Sequence, residues 1–393
     1  MLNVLVVLVV CVTGGMLLLP RVSRARLWRA TITPLASIIG SGFLVIGPIL
    51  HHAFGAFAPL VMMILCGSAW LFGAAIRHNI AVIGDAPDDP RGATERRIET
   101  LASWALAFAY VISVAYYLNL FGEFALSLTV MDDPQSARLL TSGVFLIILF
   151  VGWTQGFSAL ERMEQITVSL KLAIIAGLLV GLGWYAAGRI AVGAVEMVPT
   201  RLGGWSAVTL LFGLVVTVQG FETSRYLGET YDAATRVRSM RLAQALSALI
   251  YLVFVVFLAL SFGADEVPLE ETAIITMMGI VAPILSVLLV AAALSAQFSA
   301  AVADAGGSGG LMAELSGHRV KPRQAYAVLV AVGLILTWTS NVFEIISYAS
   351  RAFAVYYALQ SVLAALSGGR RAPLFAAMAV LGVLIALFGS AIE

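Results

Sequence analysis

The residues of this chain best suited to chemistry sit where a membrane-buried helix tolerates them least. Gly40-Ser41-Gly42 interrupts the apolar stretch Thr31 to Phe54, and Gln219-Gly220-Phe221-Glu222 interrupts a second, Trp205 to Tyr226. In lipid an unpaired backbone N–H or C=O is costly, so a spanning helix breaks only where its freed groups line a protein cavity or hold a ligand. A half-helix beginning near Phe43 points free N–H groups and a positive dipole end at the first break, a setting for a carboxylate, and Ser41 and Gly42 add close backbone donors. The carbonyls ahead of each break, around Ile38 and Ile39 and around Val216 and Gln219, suit an ammonium or a cation. A zwitterion satisfies both sets. Gly40 and Gly42 also have a purely structural reading, close packing between helices.

Lys171 lies in the body of another apolar run. A lysine there is expensive, faces the protein interior and marks a coupling site or an ion pair; it can carry a proton by neutralising and recharging. The alternative is snorkelling, the long stem reaching back toward the aqueous face. Glu222 follows the second break directly and could bind a cationic group, take a proton, or pair structurally with Arg225. Glu123, Glu344 and Arg351 carry the same ambiguity; Glu344 and Arg351, seven apart, are too distant to pair, so each needs another partner. Ser295 and Ser299, four apart, share a helix face and could offer oxygens to sodium, although serines commonly bond their own helix carbonyls. Tyr116, Tyr117, Phe221 and Tyr348 are candidate gates or packing residues.

The elements that must hold these residues are membrane helices. With 61% hydrophobic residues, 11% charged and a mean hydropathy of +0.97, the chain cannot cover a water-facing surface with polar groups. The fold class is therefore an all-α polytopic membrane helix bundle. A net charge of +1 gathered into short loops implies no nucleic-acid partner. Cys11 and Cys66 match neither a disulfide framework nor a metal-ligand spacing. The histidines His51, His52, His78 and His318 show no zinc-protease spacing, and no phosphate-cradling loop occurs, so no enzyme, metal or cofactor is expected. The glycine-rich stretch Asp304 to Gly310 reads as a flexible loop.

About twelve apolar runs are long enough to span: Leu2 to Leu19, Ile32 to Phe54, Ala58 to Ile76, Ile98 to Val130, Leu139 to Gly156, Gln165 to Ala186, Trp205 to Tyr226, Ala243 to Phe262, Ala273 to Ala303, a shorter Ala325 to Trp338, Val342 to Leu366 and Pro373 to Ile392. If Arg21 to Arg29 is cytoplasmic, 18 of the 23 Lys and Arg fall inside and three outside, with Lys171 and Arg351 within segments. That asymmetry orients the chain with both termini external, a multi-pass protein of the cell (inner) membrane. The two longest linkers, Arg77 to Arg97 and Ala187 to Gly204, hold a loop or a short helix at most. The layout is an extra helix with a basic linker (1–30), a five-helix block (31–186), a second block of opposite topology (205–366) and an accessory helix (367–393). Paired broken helices in an inverted repeat are the sequence mark of a transporter's binding site.

The stretch Ser37-Ile38-Ile39-Gly40-Ser41-Gly42-Phe43-Leu44-Val45-Ile46-Gly47-Pro48 resembles the first core helix of the amino acid–polyamine–organocation (APC) superfamily. Gly220-Phe221-Glu222 with Leu227-Gly228-Glu229-Thr230 and the basic Arg236 to Arg241 loop is similar to that family's sixth helix and its exit, and Val168-Ser169-Leu170-Lys171-Leu172 to its fifth. Asp304 to Pro322 is a weaker match. The resemblance spans Thr31 to Leu366. It implies a LeuT-type five-plus-five inverted repeat whose first and sixth core helices are interrupted. It also implies secondary transport of amino acids or related small amines by alternating access around a midplane site. A lysine at the position of Lys171 takes the place of sodium in proton-coupled relatives, so the proton ranks above sodium as coupling ion. Alternatives on the same fold are a sodium-coupled or cation transporter, or a non-transporting sensor. Where such proteins often carry a large aromatic this chain has Val216, which removes a stacking surface for a bulky or cationic side chain.

Overall fold

The computed structural model describes residues 1–40, 42–84, 92–154, 164–228, 230–264 and 266–392. Among them every regular element is helical: α1 (Leu2–Leu18), α2 (Pro20–Ser23), α3 (Arg26–Gly40), α4 (Phe43–Phe54), α5 (Ala58–Ile83), α6 (Ala93–Leu126), α7 (Pro134–Thr154), α8 (Glu164–Ala191), α9 (Gly204–Gly213), α10 (Ala233–Ser261), α11 (Ala273–Val281), α12 (Pro283–Leu315), α13 (Pro322–Thr339), α14 (Val342–Ser367) and α15 (Ala372–Phe388). Seven stretches among the described residues are long and apolar enough to cross a bilayer, while α1 and α9 are apolar but shorter. Large apolar side chains such as Leu146, Ile147 and Phe150 stand exposed on the perimeter. In water such a belt would be a liability; in a bilayer it is the lipid-facing surface.

Three local readings of the sequence are corrected. The run Ala273 to Ala303 is two helices, because Pro283 has no N–H to continue α11 and Ala282 is extended at φ −160° and ψ 119°. The stretch Asp304 to Gly310 is helix, within the second half of α12, and not a loop. Its glycines make room for rings: a Cβ on Gly307 would lie 3.1 Å from Tyr110, and one on Gly309 would lie 2.4 Å from Tyr326. The linker after Ala186 begins only beyond Ala191 and then runs as a strap over the end of α4, with the N–H groups of Arg201 and Leu202 donating to the Ala53 carbonyl at 3.0 and 3.1 Å.

Helix packing is organised around the two interrupted segments. The end of α3 lies on Phe221–Tyr226, α5 on α10, α6 on α12 and α7 on α13, so each pair joins crossings five apart in the chain. Further contacts come in matched pairs: α3 touches α8 as α14 touches Val215–Val218, and α6 packs on α14 as α12 packs on α8. The second segment is less regular than a helix broken once. After α9 come a 3₁₀ turn at Val215–Val218, extended Gln219, left-handed Gly220 at φ 113° and a second 3₁₀ stretch, Phe221–Tyr226. Ser350 of α14 patches the first irregularity, donating to the Gly213 carbonyl at 2.6 Å and accepting from the Val216 N–H at 2.9 Å.

On the arginine-rich side the two interrupted segments are anchored differently. Arg225 forms an ion pair with Glu99 at 2.6 Å and donates to Gln360 at 2.7 Å, and Gln360 is held in turn by Asn79 at 2.8 Å. The segment around α3 is tied by Arg26 to Asp232 at 2.8 Å, in the open. Asp232 also caps α10, and hydrogen bonds from the Thr235 N–H and hydroxyl hold its carboxyl below the usual range.

The breaks approach so closely that glycine is required at both. A Cβ on Gly220 would sit 2.5 Å from Ser37 Oγ and 2.6 Å from the Ile38 N, and one on Gly42, at φ 153°, would sit 2.8 Å from Thr217. The packing reading of Gly42 is thus part of the answer at the first break. Gly220→Ala should destabilise the detergent-solubilised protein by about 2–3 kcal/mol or more through strain and clash. Gly67→Ala, where nothing lies within 4 Å, should leave it unchanged or up to about 1 kcal/mol more stable. Thermal unfolding of the two variants side by side checks this, and equal melting temperatures would refute it.

Candidate functional site

A cavity of about 490 Å³ lies against both interrupted segments, on one side of the breaks only. The half of α3 before its break contributes Thr33, Ala36 and Ser37; the second segment contributes Thr223, Tyr226 and Leu227 from after its break. Tyr110 of α6, Lys171 of α8 and the face of α12 from Ala296 to Leu311, including Ser299 and Asp304, complete the wall. Neither α4 nor α9 reaches it. Beyond the breaks the bundle is closed: Phe43 packs edge-on to Tyr251 with centroids 5.3 Å apart, and Gly47 is seated on Phe254.

Lys171 is buried, 6% exposed, and its ammonium donates to the Ala36 carbonyl at 2.9 Å. The side chain reaches across to α3 instead of snorkelling toward water. Ala36 lies just ahead of the last four residues of α3, near the negative end of the helix dipole, so a cation there is stabilised by the dipole as well as by the bond. A Cβ on Gly40 would lie 3.5 Å from the Lys171 Nζ, an ordinary contact distance, so the ammonium packs beside this glycine.

Of the carbonyls expected to be free ahead of the breaks, those of Ile38, Val216 and the adjacent Thr217 are engaged. One hydroxyl, Tyr251 Oη, lies 3.0 Å from the Ile38 carbonyl oxygen and 2.6 Å from that of Thr217, so its proton is shared between both breaks. The Val216 carbonyl accepts from the Gln219 N–H at 3.2 Å, and the Gln219 amide donates to Tyr117 Oη at 3.0 Å. Glu222 does not pair with Arg225. Its carboxylate turns back to accept from the Gly220 N–H and from Tyr357 Oη, each at 3.0 Å, while Phe221 stacks on the same tyrosine with centroids 5.2 Å apart. The buried Glu222 carboxyl is thereby committed to holding the left-handed turn.

This geometry is accompanied by similarity along the whole chain. A family model for APC superfamily transporters matches residues 20–389. The chain belongs to the APC superfamily of transporters. It is also 41% identical over 385 residues to an uncharacterized protein of Aquifex aeolicus (strain VF5), an alignment that covers 95% of this chain and 93% of that protein.

In this APC transporter the residues singled out by sequence fall into three groups. Lys171 and Ser299 line the cavity. Ile38, Gly40, Gly42, Val216, Gln219, Gly220, Phe221 and Glu222 form the buried junction beside it, and Ile39 lies in a smaller apolar pocket with Phe43, Leu44 and Lys171. Ser41 falls outside the described residues. Tyr116 is fully buried, and a Cβ on Gly42 would be 2.9 Å from its hydroxyl, which places it at the closed side. Tyr348, 37% exposed, and Ser295 are not on the cavity wall. Glu344 caps α14 with Asn341, and Arg351 donates to the Ala386 carbonyl at 2.8 Å, so each has its own partner.

Sequence reading missed Tyr251, Asp304, Ser113 and Ser350. Tyr251 sits mid-run in ALIYLVF, where an aromatic reads as packing; only its position as the lone hydroxyl in that run was available as a signal. Tyr251→Phe removes the shared bond while keeping the ring, leaving two buried carbonyls with less satisfaction, and should cost about 1–3 kcal/mol. Thermal unfolding, with amide exchange faster around Ile38 and Thr217 than in the wild type, is the check; unchanged exchange there would overturn the bridging role.

Proposed function

We propose that this protein is a secondary active transporter of amino acids or related small amines, driven by the proton gradient. It would work by alternating access around the junction of the two interrupted segments, in a LeuT-type five-plus-five inverted repeat. The observation that carries the reading is the Lys171 ammonium on the Ala36 carbonyl, at the break of α3 and on the wall of the cavity. A protonated lysine there does the work of a bound cation, and a neutral one withdraws it, so protonation couples to how α3 sits on α8. This favours the proton over sodium: the place for a cation at the end of α3 is filled by an ammonium. The matched helix contacts five crossings apart support the inverted repeat. With the arginine-rich ends cytoplasmic and both termini outside, in the cell's inner membrane, the cavity opens inward and the conformation is inward-facing. The amides at the start of α4 with Gly42 form the carboxylate subsite, opened when Thr217 moves away.

Uptake of labelled amino acids and amines into proteoliposomes, with and without an inward proton gradient, tests the reading. The gradient is expected to accelerate uptake of at least one compound, and Lys171→Ala is expected to abolish that acceleration while the protein still elutes as the wild type does. A variant that keeps the full gradient response removes Lys171 from coupling. A wild-type protein neither stabilised by nor transporting any member of a broad panel removes the transporter reading.

A further inference from the structure

A second cavity, of about 400 Å³, lies on the arginine-rich side between α5, α10 and the turn Gly369–Arg371 that joins α14 to α15. It shares no residue with the cavity at the breaks. Its wall carries Arg77, His78, Arg241 and Arg371 together with Trp70 and small apolar side chains such as Ala74. Among the described residues no carboxylate lines it, and none pairs with Arg77, Arg241 or Arg371. A cleft lined by one sign of charge focuses its field on the space it encloses, so this one attracts an anion.

The most buried of these cations is held firmly. Arg77 is 5% exposed; it donates to Gln244 Oε1 and, at 3.2 Å, to the Trp70 carbonyl, and its guanidinium carbon lies 4.8 Å from the centre of the Trp70 ring. Gln244 is fixed in turn by donating to the Ala69 carbonyl at 2.7 Å, and Gly73 admits it: a Cβ there would lie 2.4 Å from the Gln244 amide. These partners are neutral, so they aim the guanidinium without cancelling its charge, and a buried charge left so is costly until an opposite one meets it. His78 lies 3.1 Å from Ser367 Oγ and packs on Phe375 with ring centroids 5.3 Å apart, which draws the turn bearing Arg371 to the cavity.

The neighbouring surface says what kind of anion fits. Met63, Trp70 and Arg77 recur every seven residues and share one face of α5, with Met63 57% and Trp70 41% exposed. A lipid-facing stripe thus runs into the cavity, apolar at Met63 and Trp70 and cationic at Arg77, about 10 Å beyond Trp70 along the helix. Tryptophan favours the headgroup level of a bilayer, and basic pockets between helices at that level take anionic headgroups. A dissolved phosphate would have nothing to lay against the tryptophan. We propose that this cavity binds an anionic phospholipid, its phosphodiester held by Arg77, Arg241 and Arg371 and its acyl chains lying along Trp70 and Met63, so that the lipid joins α5 and α10 to the turn before α15.

The test uses the full-length protein in detergent and measures thermal unfolding as phosphatidylglycerol, phosphatidylcholine or soluble glycerol 3-phosphate is titrated in. Phosphatidylglycerol should raise the melting temperature saturably, and phosphatidylcholine should not. In Arg241→Gln/Arg371→Gln the half-saturating amount of phosphatidylglycerol should rise roughly tenfold or more. Arg319→Gln/Arg323→Gln, which removes the same charge from exposed positions outside the cavity, should leave it unchanged. The inference is overturned if phosphatidylcholine stabilises as well as phosphatidylglycerol does, or if the two double variants behave alike. It is overturned equally if glycerol 3-phosphate stabilises at the same concentrations as the lipid, which would make the cavity a site for a soluble phosphate. Should the Arg241/Arg371 variant fail to fold, Arg371→Gln alone and the wild-type ranking of the three compounds decide the matter.

Discussion

Everything near the centre of this protein depends on the need to satisfy backbone groups that two broken helices leave exposed in a dry environment. The solution is mutual. Gly220 seats its turn on the backbone of Ser37 and Ile38, Gly42 admits Thr217, and one tyrosine hydroxyl serves a carbonyl from each side. Ser350 mends the irregularity after Gly213, and Glu222 folds back onto its own turn. None of these groups would have a water to fall back on, so losing any one leaves a charge or dipole uncompensated in hydrocarbon.

The charged groups are arranged by the same constraint. Lys171 is tolerated because a helix end presents carbonyls to it, and Arg225 because Glu99 and Gln360 surround its guanidinium. Asp304 has a single hydroxyl and an open cavity. Lys171 and Arg225 are thus answered inside the protein, while Asp304, among the described residues, is met by the Ser113 hydroxyl.

Much of this was legible in the sequence wherever a residue violates the solvent. Glycine beside polar residues in mid-span, a lysine in an apolar run and arginines gathered in alternate loops each announce themselves through a cost. What stayed hidden was of two kinds. Tyr251 and Ser350 break no rule, since tyrosine and serine are ordinary in a span, and their importance arises only from which carbonyl lies opposite. Asp304 was concealed by its neighbours: glycines 306, 307, 309 and 310 imitate a loop in one dimension, whereas in three dimensions Gly307 and Gly309 are notches for the rings of Tyr110 and Tyr326.

The unequal anchoring of the two inner segments has a mechanical meaning. Moving Phe221–Tyr226 away from α6 and α14 would rupture an ion pair whose side chains are only 8% and 18% exposed, an event on the order of 3–5 kcal/mol. Moving the beginning of α3 would rupture the Arg26–Asp232 contact, exposed at 67% and 38% and therefore screened by solvent and weak. At their arginine-rich ends the second segment is therefore held by a buried anchor and α3 by an exposed one, while the far end of α3 is held by Lys171 and Tyr251.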